Sequence, residues 1–251
     1  MYKLGLKIYS TNTGAYFEEV KRLHKKGFCD YVEIYVVPDS LDTLKKWETL
    51  DIPITIHAPH YGHGFNLAFP EKKKYNFELY QQAKYFADHL DADYIIFHGG
   101  NRGNIESTAS QLASFNEPRA IIENLPFHTI KGDKRYFGAT PDEILFIKTT
   151  ANCGFCFDIG HSVCSANSQG LEPYSYIESF MELEPVMFHI SGIKDMSSPI
   201  DSHLNLSDGQ LDPARIKNIL PSSAKVSLET AKKSENNLND FEEDVIWMKS
   251  L

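Results

Sequence analysis

Nowhere in this 251-residue sequence does an apolar run approach the roughly 20 residues a membrane-spanning helix needs. The N-terminus, Met1-Tyr2-Lys3-Leu4-Gly5, enters strand-like sequence at once and lacks the charged, apolar, small-residue order of a secretory signal, so a cytoplasmic protein with no membrane partner is expected. Cysteine is scarce. The four present, Cys29, Cys153, Cys156 and Cys164, are too few and too unevenly placed for a disulfide framework, and reduced thiols are expected. Cys153 and Cys156 form a C-x-x-C, but no second Cys/His pair at similar spacing completes a structural zinc site, and a redox motif would open a helix. These two read as buried strand cysteines. Basic residues are also short, 25 Lys and Arg against 34 Asp and Glu, for a formal charge of −9. That balance argues against a general nucleic-acid binder, whose affinity comes from neutralising phosphates, while leaving room for a local basic site or for bound metal charge. No Walker-type glycine loop and no Ser/His/Asp or Cys/His arrangement for nucleophilic catalysis is present.

What the sequence does have is 42% hydrophobic residues without linker-like shifts or solenoid repeats, enough for one domain over residues 1–251. Short apolar, β-branched and aromatic runs alternate with longer amphipathic stretches, the pattern of parallel strands joined by helices. Strands are expected at Lys3–Tyr9, Tyr31–Val37, Ile52–His57, Tyr94–His98, Ala120–Asn124, Gly154–Asp158, Val186–Ile190 and Lys225–Glu229. Eight βα units of this size make a (β/α)₈ barrel. Helix starts are marked by Thr140-Pro141-Asp142-Glu143, with a Thr N-cap, Pro at N1 and Glu at N3, and by Asp212-Pro213. Glu71–Leu90 is the longest helix candidate. Its expected buried stripe is Phe77, Tyr80, Lys84, Ala87 and Leu90, widened by Ala83 and Phe86, with Lys84 as the exception.

The informative feature is how the strands end. From the third to the eighth they finish on His57, His98, Glu123, Asp158, His189 and Glu229. The 34 acids and 10 histidines make such a residue roughly a one-in-six accident at any single position, so six in succession are not accidental. In a barrel these positions converge on the C-terminal face, where catalytic groups of this architecture sit. His161, just beyond the sixth strand, and the Asp201/His203 pair, after the seventh, complete a set of five histidines and four carboxylates. Taken singly, each has an equally simple structural reading; the ordered set favours metal ligands. Imidazole and carboxylate together suit zinc, with manganese admissible, and nine ligands are too many for one tetrahedral ion, so two or three ions are expected. His24 and His89 fall on amphipathic helices and are expected to face solvent. His60, His63 and His128 fall in site-side loops, from which they could touch substrate, although loop-surface positions are the favoured reading, and Glu33 and Asp51 read as isolated acids near strands.

The series resembles the endonuclease IV (AP endonuclease family 2) group of the xylose-isomerase-like barrels. The resemblance runs from His57 to Glu229 through Ile56-His57-Ala58-Pro59, Phe97-His98-Gly99-Gly100, Ile122-Glu123-Asn124, Phe157-Asp158-Ile159-Gly160-His161, Phe188-His189-Ile190-Ser191, Asp201-Ser202-His203 and Leu228-Glu229-Thr230. It implies a trinuclear zinc site: His57 and His98 on one ion, Asp158, His189 and Glu229 on a second, Glu123 bridging these two, and His161, Asp201 and His203 on the third. Glu123 and Glu229 are the carboxylates it would place in the reaction. The implied activity is hydrolysis of a phosphodiester, abasic DNA among the candidate substrates, by water activated at the metals.

The departures concern substrate recognition. The second strand ends in a short acidic segment, Glu33-Ile34-Tyr35-Val36-Val37-Pro38-Asp39, and the helix between Asn104 and Glu117 is abbreviated. Only the loop Phe127–Phe137, with Lys131, Lys134, Arg135 and Tyr136, offers the basic and aromatic mixture a nucleic-acid backbone favours, and a solvated loop explains it equally well. The leading expectation is a monomeric zinc-dependent phosphodiester hydrolase. The alternative is a sugar or sugar-phosphate isomerase or epimerase with one metal on Glu123, Asp158, His189 and Glu229, which leaves His57, His98, His161, Asp201 and His203 as surplus ligands. A metal-binding barrel without catalysis, serving as an interaction module, is the third.

Overall fold

The computed structural model describes residues 1–129 and 132–251. Eight parallel strands, β1 (Lys3–Tyr9), β2 (Tyr31–Tyr35), β3 (Ile54–His57), β4 (Ile95–His98), β5 (Ala120–Glu123), β6 (Gly154–Asp158), β7 (Met187–Ile190) and β8 (Lys225–Leu228), pair in sequence order and close into a barrel through β1 and β8. The eight-unit expectation holds, with several strands shorter than their apolar runs. Val36, Val37 and Ile52 continue or precede their strands outside the ladder, and Glu229 lies one residue past β8 while its N–H still bonds Ile190 O at 3.0 Å.

Parallel strands covered on both faces read as continuous apolar runs. Residues pointing outward, among them Ile34, Ile56, Phe97, Ile122, Phe157, Phe188 and Leu228, pack under the helices in the main core. The alternate residues point into the barrel and form layers. The lower layer is a separate apolar cluster of Tyr31, Ile96, Ile121, Cys156 and Met187. Two residues further along each strand comes a layer of Glu33, His98, Glu123, Asp158 and His189. Gly5 makes room for the lower layer: a Cβ there would sit 2.2 Å from Tyr31 Cζ, whose hydroxyl crosses the barrel to Ser227 Oγ at 2.9 Å.

The helices that cover the barrel differ in size. After β1 comes α1 (Ala15–Lys25); after β2 only one turn, α2 (Leu44–Trp47), anchored by Trp47 Nε1 donating to Ser10 O at 2.7 Å. The long helix α3 (Lys73–His89) follows a short 3₁₀ turn at Pro70–Lys72. Its buried face is Asn76, Leu79, Tyr80, Ala83, Phe86 and Ala87. The expected stripe was therefore centred about a residue off: Phe77 lies at the exposed rim because Asn76 turns inward to bond Asn66 and Gln111. Helix α4 (Ile105–Ser114) is short, as expected, and capped by Asn104.

Thr140 caps α5 (Pro141–Ala151) as its sequence signals, although Glu143 reaches back to the N–H groups of Gly138 and Ala139. Two helices, α6 (Ile159–Gln169) and α7 (Pro173–Met181), fill the β6–β7 connection. Asp212 caps α8 (Pro213–Ile219), and α9 (Asn239–Lys249) closes the ring. No described helix is long and apolar enough to cross a membrane. All four cysteines are free; Cys156 is on β6 in the barrel interior, whereas Cys153 stands one residue before that strand and is only half-buried.

Candidate metal centre

Around the upper barrel layer the structure brings together all nine expected ligands, His161 from α6 and Asp201 and His203 from the loop after β7. Three sets have ligand atoms that lie within 4.8 Å of one another: His57, His98 and Glu123; Glu123, Asp158, His189 and Glu229; and His161, Asp201 and His203. A fourth set, Glu123, Cys156 and His189, reaches down to the lower layer.

Each side chain is aimed by a local contact. His57 Nδ1 donates to Ala58 O at 2.7 Å, which leaves the Nε2 lone pair pointing inward. Nε2 of His57 and Nε2 of His98 both face Glu123 Oε2, at 3.2 and 3.0 Å. The other oxygen, Oε1, faces His189 Nδ1 at 3.2 Å and His161 Nδ1 at 3.4 Å. Glu123 thus divides its two oxygens between two sets of imidazoles, as a bridging carboxylate must.

Strand β6 passes into α6 with no intervening loop, and Asp158 serves as the helix N-cap, Oδ1 accepting from His161 N at 2.6 Å. The i, i+3 spacing then brings His161 over Asp158. Asn124 clamps the junction, its side chain exchanging bonds with Asp158 N and O at 2.7 and 2.8 Å, and its carbonyl accepting from His161 Nδ1 at 2.9 Å. The free Nε2 of His161 faces Asp201 Oδ2 at 3.4 Å. His203 donates from Nδ1 to Glu229 O at 2.9 Å and turns Nε2 onto Asp201. His203 takes a left-handed φ of 44°, costing about 1 kcal/mol, which the Glu229 contact and the Ala231 N–H on His203 O help to hold.

A buried polar atom without a partner is expensive, about 1–3 kcal/mol each. Four of them converge here: Glu123 Oε1, Asp158 Oδ2, Asp201 Oδ1 and His189 Nδ1 have no hydrogen-bond partner among the described residues. Orphaned carboxylate oxygens facing imidazole lone-pair positions fit divalent cations of the zinc class. The protonation pattern agrees. Burial and the neighbouring carboxylates Glu123, Asp201 and Glu229 push Asp158 up to about 6, even against His161. His161 itself is buried, yet Asp158, Asp201 and Glu123 drive it up to about 10; Glu229 and Asp201 lift His203 to about 9.

Sequence reasoning missed two members of this layer. Glu33 is fully buried inside the barrel, not an isolated acid beside a strand: its Oε2 lies 2.8 Å from His189 Nε2. Although burial opposes its charge, His189 and Lys7 hold it down to about 2. Lys7, its Cα partner across β1 and β2, reaches Glu229 Oε2 at 2.7 Å and Glu33 Oε1 at 3.4 Å. Burial disfavours the ammonium, but Glu229, Glu33 and Glu123 outweigh it and keep Lys7 above its ordinary range. The signal was available: both residues stand at the inward parity of their strands, in register with the ligand layer. Asp51 is exposed.

The remaining histidines also sort themselves. His60 is half-buried beside the site, stacked on His98 at 5.6 Å between rings. Burial, with His98, His57 and Lys7 nearby, lowers it to about 2, and its neutral Nδ1 accepts from Gly62 N at 2.9 Å. It is a wall of the site and not a plain surface residue. His63 is exposed, with Nδ1 taking the Tyr35 hydroxyl at 2.7 Å, and His128 is half-buried, its Nδ1 without a partner among the described residues. His24 is half-buried, not solvent-facing, because Nδ1 bonds Cys29 O at 2.7 Å; His89 is exposed.

Two cavities meet at the ligands. One, of about 490 Å³, is lined by His60, His98, His128, Tyr136, His161 and His203. The other, of about 690 Å³, lies over β1 and β8 and is lined by Lys7, Tyr9, Asn12, Tyr16, Tyr35 and Lys232; His60, His203 and Glu229 border both. The basic loop beside the first cavity is largely self-neutralised. Lys134 pairs with Asp133 and Arg135 with Glu143, each at 2.7 Å, and Arg135 stacks over Phe127 at 4.6 Å. Lys131 lies outside the described residues.

Solved structures with this fold carry different chemistries. A D-tagatose 3-epimerase-like protein is 18% identical, with a TM-score of 0.73 over 99% of this chain and 96% of that one. A protein from Thermus thermophilus, soaked with ZnCl₂, is also 18% identical, with a TM-score of 0.71 over 99% and 97%. Endonuclease IV from the same organism is 16% identical, with a TM-score of 0.70 over 99% and 100%. At these identities the likeness concerns the fold alone. Comparison with curated protein sequences finds no match. The model of one protein family matches residues 20–251, and by that match the chain belongs to the xylose isomerase-like TIM barrel family.

Proposed function

We propose that this protein is a zinc-dependent phosphodiester hydrolase of the endonuclease IV type, with a trinuclear site at the C-terminal mouth of the barrel. The observation that carries the reading is the grouping of nine ligands into three sets, two of which share Glu123, where a one-metal isomerase needs only Glu123, Asp158, His189 and Glu229. His57, His98 and Glu123 would hold one ion, Glu123, Asp158, His189 and Glu229 a second, and His161, Asp201 and His203 the third. Bound zinc ions supply water activation and charge neutralisation at phosphorus. The chain's own residues supply the frame: Glu123 spans two ligand sets, Glu229 stands at the junction of both cavities, and His60 shields His98.

The substrate in this reading is a small or short phosphodiester in preference to long duplex DNA. The described cations of the 127–137 loop are already paired with acids of the same chain. The zinc-loaded protein should cleave an aryl phosphodiester or a short abasic oligonucleotide, lose that activity to a chelator and regain it with zinc. Turnover of a ketose or aldose phosphate by the fully loaded protein, with no diester cleaved, would replace this reading with the isomerase one.

A further inference from the structure

The second cavity has a composition that the metal chemistry does not use. Lys232 lines it three residues beyond Glu229, half-buried, with its ammonium donating to Thr230 O at 2.7 Å. No carboxylate among the described residues lies within ion-pair distance of that ammonium. Burial pulls Lys232 down to about 8, against the pull of Glu229 and Asp240. A desolvated ammonium bonded only to a carbonyl retains two donors and an unneutralised charge, which an anion entering the cavity would satisfy. Asn12 brings an amide whose Oδ1 is engaged by Tyr9 N at 2.8 Å, leaving its Nδ2 group as a donor, while the Lys7 ammonium on the same wall is already neutralised by Glu229 and Glu33. Away from the Lys7–Glu229 pair, this corner therefore presents the Lys232 charge and the Asn12 donor, whereas the ligand cluster presents acceptors.

We propose that the cavity over β1 and β8 is a phosphate-recognition subsite, in which Lys232, with Asn12, takes a phosphate group of the substrate other than the one that reacts. The inference rests on the reading that the adjacent ligands hold metal and act on a phosphorylated substrate. It narrows the class to small molecules or short nucleotides with a second, terminal phosphate, because the cavity of about 690 Å³ suits a ligand of that size.

The test uses zinc-loaded protein titrated calorimetrically with inorganic phosphate and, separately, with a 5′-phosphorylated dinucleotide and its unphosphorylated counterpart. Wild type should bind a phosphate equivalent beyond any held at the metals and should prefer the phosphorylated dinucleotide. Lys232→Met should weaken that equivalent about tenfold or more, as expected for a lost charge-assisted bond; Lys232→Arg should retain it, which separates loss of charge from loss of fold. Lys74→Met, at a fully solvated lysine, should match wild type. Unchanged phosphate stoichiometry and affinity in folded Lys232→Met would overturn the subsite. Lys232-dependent phosphate binding without cleavage of any diester would uphold the subsite and overturn the hydrolase reading instead; a terminal sugar phosphate preferred over the dinucleotide would identify the source.

Discussion

Glu33 Oε2 lies 2.8 Å from His189 Nε2 inside the barrel, and this contact decides which nitrogen His189 offers to the ligand cluster. With Nε2 held by a carboxylate, Nδ1 is left facing Glu123 Oε1 at 3.2 Å and Glu229 Oε2 at 3.1 Å. Partners of this kind, which hold the far nitrogen of a ligating imidazole, fix its orientation and raise its basicity.

Glu33→Ala should therefore weaken the metal position that includes His189 by about 10–100-fold while sparing the His161–Asp201–His203 position. Competitive chelator titration followed by elemental analysis reads the difference. Equal affinity at every position in a folded variant would mean that Glu33 does not orient His189.

The division of Glu123's two oxygens gives a second expectation. Glu123→Gln, which keeps the shape and removes the charge, should lower occupancy at two positions, whereas Asp201→Asn should empty one. Wild type should carry two or three ions per chain when purified without added metal. Identical metal content in the two variants would contradict the bridging assignment.

The proton load of the metal-free site sets a pH dependence. His161 and His203 are raised from an ordinary value of 6.5 to about 10 and about 9, so their protonation favours the folded state. That contribution is fully present below about pH 6.5 and is lost as pH rises toward 10. Asp158, raised from 3.8 to about 6 by burial, acts in the same direction at lower pH. The melting temperature of metal-free protein should fall between pH 6 and pH 10, and the rise produced by zinc should grow over that interval, since the ligands must shed protons to bind. A metal-free melting temperature that climbs through this range would be incompatible with the assignment.

Gly5 offers a prediction about the barrel itself. An added Cβ would meet the Tyr31 ring at 2.2 Å, so Gly5→Ala should destabilise by about 1–3 kcal/mol through overpacking. Tyr31→Leu in the same background should recover part of the loss. Denaturant unfolding measures both, and a neutral Gly5→Ala would show that the ring moves freely.

Much of this was legible in the sequence, and the reason is geometric. A βα unit announces itself through local apolar runs and caps, and a strand's end is a position along the chain. Six candidate ligands could thus be read one strand at a time, from His57 to Glu229, without knowing how the strands meet. His161 and the Asp201/His203 pair followed because they stand just beyond the sixth and seventh strands. What the sequence alone did not decide is which side chains share a space. Glu33 looked like an isolated acid and Lys7 was passed over, because neither ends its strand; their inward parity was legible, but not what they would meet. Only closure of β1 onto β2 and β8 sets Lys7 beside Glu33 and Glu229, 26 and 222 positions away in the chain. The same holds for Lys134 and Arg135, basic in composition yet neutralised by Asp133 and Glu143, and for His60, which becomes a wall of the site by stacking on His98. Strand identity and ligand chemistry are properties of short segments, fixed by period and residue type; the ion pairs, the orphaned oxygens and the two cavities arise from contacts between distant segments, and only the closed barrel creates those.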